Sequence, residues 1–149
     1  VVTADRFYCD PSALRSLYLH DPRSRAIGAW RATCSGALPV TKFVAAEMVN
    51  AFALGEFRGD IGATQHQAMA AHFHGDFALG RLAHADLLWR RALERAAELS
   101  REHTIALGTR ALDVLHVASA LELGTRTFVT YDTRQAALAK AVGLKALAP

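Results

Sequence analysis

Short apolar runs alternate along this chain with longer amphipathic stretches, a pattern that predicts strands separated by helices. Residues 6–9 read as a first strand, and DPSAL then turns into a helix running toward Tyr18 or His20, with Pro11 at its first position behind a capping Asp10. A second helix is expected at about 26–34 and a short strand at 38–40. Thr41 then caps a third helix carrying Phe43, Ala46, Glu47, Asn50 and Phe57, and a fourth covers roughly 63–73. A fifth begins near Asp86 with an apolar stripe of Leu88, Trp89, Ala92, Leu93, Ala96 and Leu99. Its other face, with Arg90, Glu94, Arg95, Glu98 and Glu102, reads as solvated, at spacings that allow salt bridges.

The last third is the clearest. A helix over 110–123 ends at Gly124, a strand covers 127–130, a helix over 133–142 ends at Gly143, and a final strand covers 144–147. Strands alternating with helices imply an α/β fold, a short parallel sheet flanked by helices on both faces. The helices around 45–105 read as one continuous insertion between strands. At 149 residues the chain fits one domain, 1–149, with no internal repeat.

Composition narrows the classes. Hydrophobic residues make up 52% and charged residues 21%, which argues against disorder. No apolar run is long enough to span a membrane. The opening VVTADRF lacks the layout of a secretory signal, and Cys9 and Cys34 have no metal-ligand spacing, so two free thiols in a reducing cytoplasm are expected. Of the 17 basic residues only three are lysine. Arginine's planar fork matches phosphate bidentately, although an arginine-rich composition from a GC-rich genome would give the same bias. Gly-rich phosphate loops, nucleophile elbows, dinucleotide fingerprints and HExxH pairs are all missing, which disfavours kinases, P-loop enzymes, dehydrogenases and zinc sites.

Four carboxylates carry the chemistry: Asp10, Glu47, Asp113 and Asp132. Asp10 and Asp132 each follow a predicted strand, and in open parallel sheets ligands bind beyond the carboxyl ends of strands. Both also read as helix caps, Asp132 with Gln135 in a capping-box spacing. Glu47 and Asp113 sit in helical stretches that are otherwise almost wholly apolar, where an ionised acid is costly unless paired or coordinated. Asp113 has Arg110 and His116 three residues to either side, so a buried ion pair competes with a ligand role; Glu47 has no basic residue at helical spacing on its C-terminal side. With formal net charge +3, setting the four acids aside leaves +7 on the rest of the molecule. An acidic pit on a basic body suits hard divalent cations and a phosphodiester substrate.

These segments resemble a known family. RFYCDPSALRSLY resembles the opening of PIN-domain nucleases, with an acid after the first strand and a hydroxyl residue, here Ser12, just beyond it. TKFVAAEMVNAF resembles the helix bearing the family's next acid, matching Glu47. RALDVLHVASALELG resembles its D-x-L-H-x-A-x-A helix, matching Asp113 and His116, and FVTYDTRQAALAKAVGL its closing strand and T-x-D turn, matching Thr130 and Asp132. Pro11 departs from the pattern, standing where many members carry a second hydroxyl residue. The resemblance covers essentially the whole chain and looks most like VapC-type toxins. It implies a PIN-like three-layer α/β/α fold and a Mg²⁺- or Mn²⁺-dependent endoribonuclease. Asp10, Glu47, Asp113 and Asp132 would be catalytic metal ligands, with Ser12, Thr130 and His116 behind them. It also implies a VapB-type antitoxin, an RNA substrate and a homodimer. The rival readings are a PIN-like module that binds RNA or a partner without cutting, and a DNA-directed metal-dependent nuclease.

Overall fold

The computed structural model describes residues 2–149. Strands β1 (Val2–Thr3), β2 (Phe7–Cys9), β3 (Cys34–Ser35), β4 (Leu38–Thr41), β5 (Leu82–Ala85), β6 (Thr127–Val129) and β7 (Lys145–Leu147) all pair in parallel. Helices α1 (Pro11–Leu14), α2 (Ser24–Ala32), α3 (Lys42–Phe57), α4 (Ala63–Ala78), α5 (Trp89–Leu107), α6 (Ala111–Glu122) and α7 (Thr133–Ala141) fill the connections. Bridges join β2, β6 and β7 in that order, and β4 to β5, while β4 packs alongside β2. The small β1–β3 pair is separate.

Burial explains the sheet. Phe7, Tyr8 and Cys9 are all buried, so β2 is covered on both faces, as parallel strands require. Tyr8 stacks on Phe128 of β6 with centroids 5.3 Å apart and planes 9° apart. Large side chains buried this completely contribute roughly 1.5–3 kcal/mol each. The helices pack mainly in two groups: α1 with α3 and α3 with α4, and α5, α6 and α7 with one another. The chain leaves β2 into the first group and β6 into the second. The crevice between the carboxyl ends of these neighbouring strands is therefore the topological switch point where open α/β sheets bind ligands.

Three expectations change. Residues 82–85 form a strand, paired with β4 from Leu38↔Leu82 to Thr41↔Ala85, so the helices of 45–105 are interrupted by the sheet. LAHA buries only Leu82 and has little strand character of its own; β4 imposes it. Cys34 lies in β3 rather than at the end of α2. Leu88, just ahead of α5, and Leu93 on it are exposed, while Arg95 and Arg91 reach across to Glu122 of α6, so the polar face is partly an interhelix seam. The helix stops at Gly124 and Gly143 are as expected: both adopt left-handed φ, +69° and +88°, which a side chain would resist.

Candidate active site

Asp10 ends β2 and caps α1. Its Oδ1 accepts from the Ala13 amide at 3.1 Å and from the Ser12 hydroxyl at 2.7 Å. Thr130, just past β6, completes a chain. Its Oγ1 accepts from the Asp132 amide, and because Ser12 spends its one hydrogen on Asp10, Thr130 donates to Ser12 Oγ at 3.2 Å; Ser12 also accepts from the Tyr131 amide. Register brings these groups together, with Cys9 opposite Val129 and the Asp10 amide donating to the Val129 carbonyl. Asp132 caps α7, its Oδ1 accepting from the Arg134 and Gln135 amides. Among the described residues, Oδ2 of Asp10 and Oδ2 of Asp132 receive no hydrogen bond. Each cap therefore keeps one oxygen for another use.

Asp113 lies in the first turn of α6, where the helix dipole favours an anion. Both of its oxygens are engaged. Oδ2 accepts from the Arg110 amide at 2.9 Å and lies 3.4 Å from Arg110 Nε, while Oδ1 accepts from Gln135 Nε2 at 3.3 Å. The Arg110 side chain is 67% exposed, so the pair is not a buried one. The expected capping box at Asp132 does not form, because Gln135 turns its amide to Asp113 instead. His116 also departs from its expected place beside Asp113: its Nε2 lies 2.7 Å from Glu47 Oε2. That contact is at ion-pair distance, yet its N–H is not aligned for a hydrogen bond, and Oε2 is buried without a donor. A small rotation of either group would align them. Glu47 thus has the basic partner that helical spacing did not supply.

All four acids line one cleft of about 550 Å³, together with Ser12, His116, Gln135, Arg15 and Arg110. Burial pushes the Asp10 carboxyl above its ordinary range, against the opposing pull of Ser12, His116, the Ala13 amide and Thr130. The donor set is oxygen-only, which suits Mg²⁺ or Mn²⁺, and the buried, donorless Glu47 Oε2 is the kind of atom a nearby cation would satisfy. Among the described residues, no three His, Cys, Asp or Glu side chains are already gathered tightly enough to cage an ion. The chemistry of the lining carboxylates fits such a cation. Sequence reasoning missed the part played by Gln135, whose signal was masked by its capping spacing, and it did not single out Arg15 at the cleft wall.

Fold and site define a class: a parallel α/β domain with an acidic, oxygen-lined cleft at the switch point of its sheet. The chain belongs to the PIN domain family, whose model matches residues 7–141. No curated protein matches it. Among solved structures it is similar to VapC20 of Mycobacterium tuberculosis, described as a sarcin–ricin-loop-cleaving toxin, at 19% identity and a TM-score of 0.66, over 96% of this chain and 99% of that one. FitAcB of Neisseria gonorrhoeae aligns at 17% identity and a TM-score of 0.69, over 96% and 97%. PAE2754 of Pyrobaculum aerophilum aligns at 18% and 0.61, over 98% and 92%. These likenesses establish the fold, the three-layer α/β/α arrangement expected of PIN domains. None of the helices is long and apolar enough to cross a membrane, among the described residues.

Proposed function

We propose that this chain is a divalent-cation-dependent endoribonuclease, the toxin of a VapBC-like toxin–antitoxin pair acting in the cytoplasm. One observation carries the reading: four carboxylates from four separate elements line a single cleft, together with Arg15 and Arg110. PIN family membership and the likeness to a toxin described as cutting the sarcin–ricin loop support it.

In this mechanism Asp10, Glu47, Asp113 and Asp132 would hold one or two Mg²⁺ or Mn²⁺ ions. Bound there, such an ion lowers the pKa of the attacking water and offsets charge developing on the phosphate. The protein supplies the rest. The Thr130–Ser12–Asp10 chain fixes one carboxylate, the amides of α7 fix Asp132, and Gln135 with Arg110 fixes Asp113. Arg15 and Arg110 present guanidinium groups to phosphates flanking the scissile bond, gripping the backbone without reading sequence. A VapB-type antitoxin would silence the cleft, within a complex built on a homodimer of this chain.

The test is cleavage of single-stranded or loop RNA by the purified protein. Cutting is expected with Mg²⁺ or Mn²⁺ and not in excess EDTA, and expression should arrest bacterial growth unless Asp10 is changed to Ala. Cleavage that persists in EDTA would overturn the proposal.

A further inference from the structure

Glu47 differs from the other three acids in how it is held. Asp10, Asp113 and Asp132 lie at helix starts, where free backbone amides reach their carboxylates. Glu47 lies inside α3, where the backbone amides are spent on the helix itself. No local donor is available to it. The group nearest its buried oxygen is His116, on α6.

His116 is itself fixed on three sides. Tyr8 of β2 places its hydroxyl 2.9 Å from Nδ1, Phe43 of α3 stacks on the ring with centroids 4.8 Å apart, and Nε2 faces Glu47. Tyr8 and His116 are both buried. A carboxylate only accepts, so His116 can reach Glu47 with a hydrogen bond only when Nε2 carries the hydrogen. A Tyr8 hydroxyl hydrogen directed at Nδ1 makes that nitrogen the acceptor and leaves the ring's own hydrogen on Nε2, facing Glu47. Three elements therefore meet in one line, from Tyr8 through His116 to Glu47.

We infer that Tyr8 is a positioning residue for Glu47, acting through His116 to set the ring's tautomer and hold the carboxylate at the cleft wall. This deepens the reading of the cleft as a cation site and rests on it. A buried tyrosine on the central strand would otherwise count only as core. Outer partners that fix a ligand's orientation change metal affinity by about 10–100-fold when lost.

Tyr8→Phe removes the hydroxyl and keeps the ring that stacks on Phe128. The experiment measures Mn²⁺ affinity from the free-ion EPR signal in the absence of RNA, together with the ring ¹⁵N shifts of His116. Wild-type protein should carry the His116 hydrogen on Nε2. Tyr8→Phe should lose that single tautomer, bind Mn²⁺ about 10–100-fold more weakly, and lower kcat with little change in KM. His116→Gln, which keeps a donor toward Glu47, should retain more Mn²⁺ affinity than His116→Leu. Asp10→Asn is the control: if it binds Mn²⁺ like wild type, the cation reading of the cleft has failed. If Asp10→Asn loses Mn²⁺ while Tyr8→Phe binds it with wild-type affinity and unchanged His116 shifts, the positioning role is overturned. Equal Mn²⁺ affinity in His116→Gln and His116→Leu would also overturn it.

Discussion

Two buried aspartates, in different parts of the molecule, are treated in opposite ways. Asp76 on α4 is met by the Tyr18 hydroxyl at 2.8 Å and by Arg81 at 3.2 Å, with His72 Nε2 at 3.7 Å. Asp10 is at least as buried, yet its donors are a hydroxyl and an amide, and no lysine or arginine pairs with it among the described residues. Both carry the desolvation penalty of a buried carboxylate. One has its positive charge built in. The other shares a cleft with three more acids, and the missing positive charge is what the proposed cation would bring. Of these two, Asp76 with its guanidinium serves the fold, and Asp10 without one lines the proposed site.

The largest effect should separate the two in activity. Asp10→Asn or Asp132→Asn should lower RNA cleavage by more than the roughly 10–100-fold expected for losing an outer-shell partner. Folded Asp76→Asn should keep most of its rate. Similar losses in Asp10→Asn and folded Asp76→Asn would break the comparison.

Stability should rank the other way. Asp76→Ala strands the Tyr18 hydroxyl and unpairs Arg81, at a cost of about 1–3 kcal/mol. Arg81 is 60% exposed, which keeps the loss below the roughly 3–5 kcal/mol of a fully buried broken pair. Thermal melts should fall by roughly 2–4 °C for each kcal/mol lost.

Asp113→Asn sharpens the contrast between ligand and ion pair. Activity should collapse, while the metal-free melting temperature stays within the roughly 2–4 °C that 1 kcal/mol represents. Gln135 can accommodate the change, because its Oε1 is buried without a partner and a flipped amide would accept from the new Asn. Arg110, already mostly in water, loses little. A drop of many degrees with activity retained would mean that Asp113 serves the fold.

The smallest effect concerns pH. Burial raises the folded carboxyl of Asp10 above its unfolded value. Its contribution to stability is therefore fully present below the unfolded value, near 3.9, and lost as pH rises through the folded one. In EDTA, Asp10→Asn should melt higher than wild type at neutral pH, with the gap closing toward acid. A variant that melts lower at neutral pH would show the Asp10 carboxylate stabilising the metal-free fold.

Much of this was legible in the chain. Asp10 and Asp132 were placed by apolar runs that end in a cap, a local pattern that tertiary contacts did not disturb. Glu47 and Asp113 stood out because a charge in an apolar helix needs an explanation. What stayed hidden depended on contacts between distant residues. β5 is a strand only because β4 lies beside it, Gln135 reaches across 22 positions to Asp113, and His116 turns from its own helix neighbour toward Glu47 on α3. Helical spacing lists the partners within one element and is silent about the facing one.

The most direct test of the cation reading is anomalous X-ray scattering from crystals of this protein soaked in Mn²⁺. The account predicts a manganese peak in the cleft, in contact with carboxylate oxygens drawn from Asp10, Glu47, Asp113 and Asp132, and no peak at Asp76. An empty cleft in crystals that bind Mn²⁺ elsewhere would contradict it.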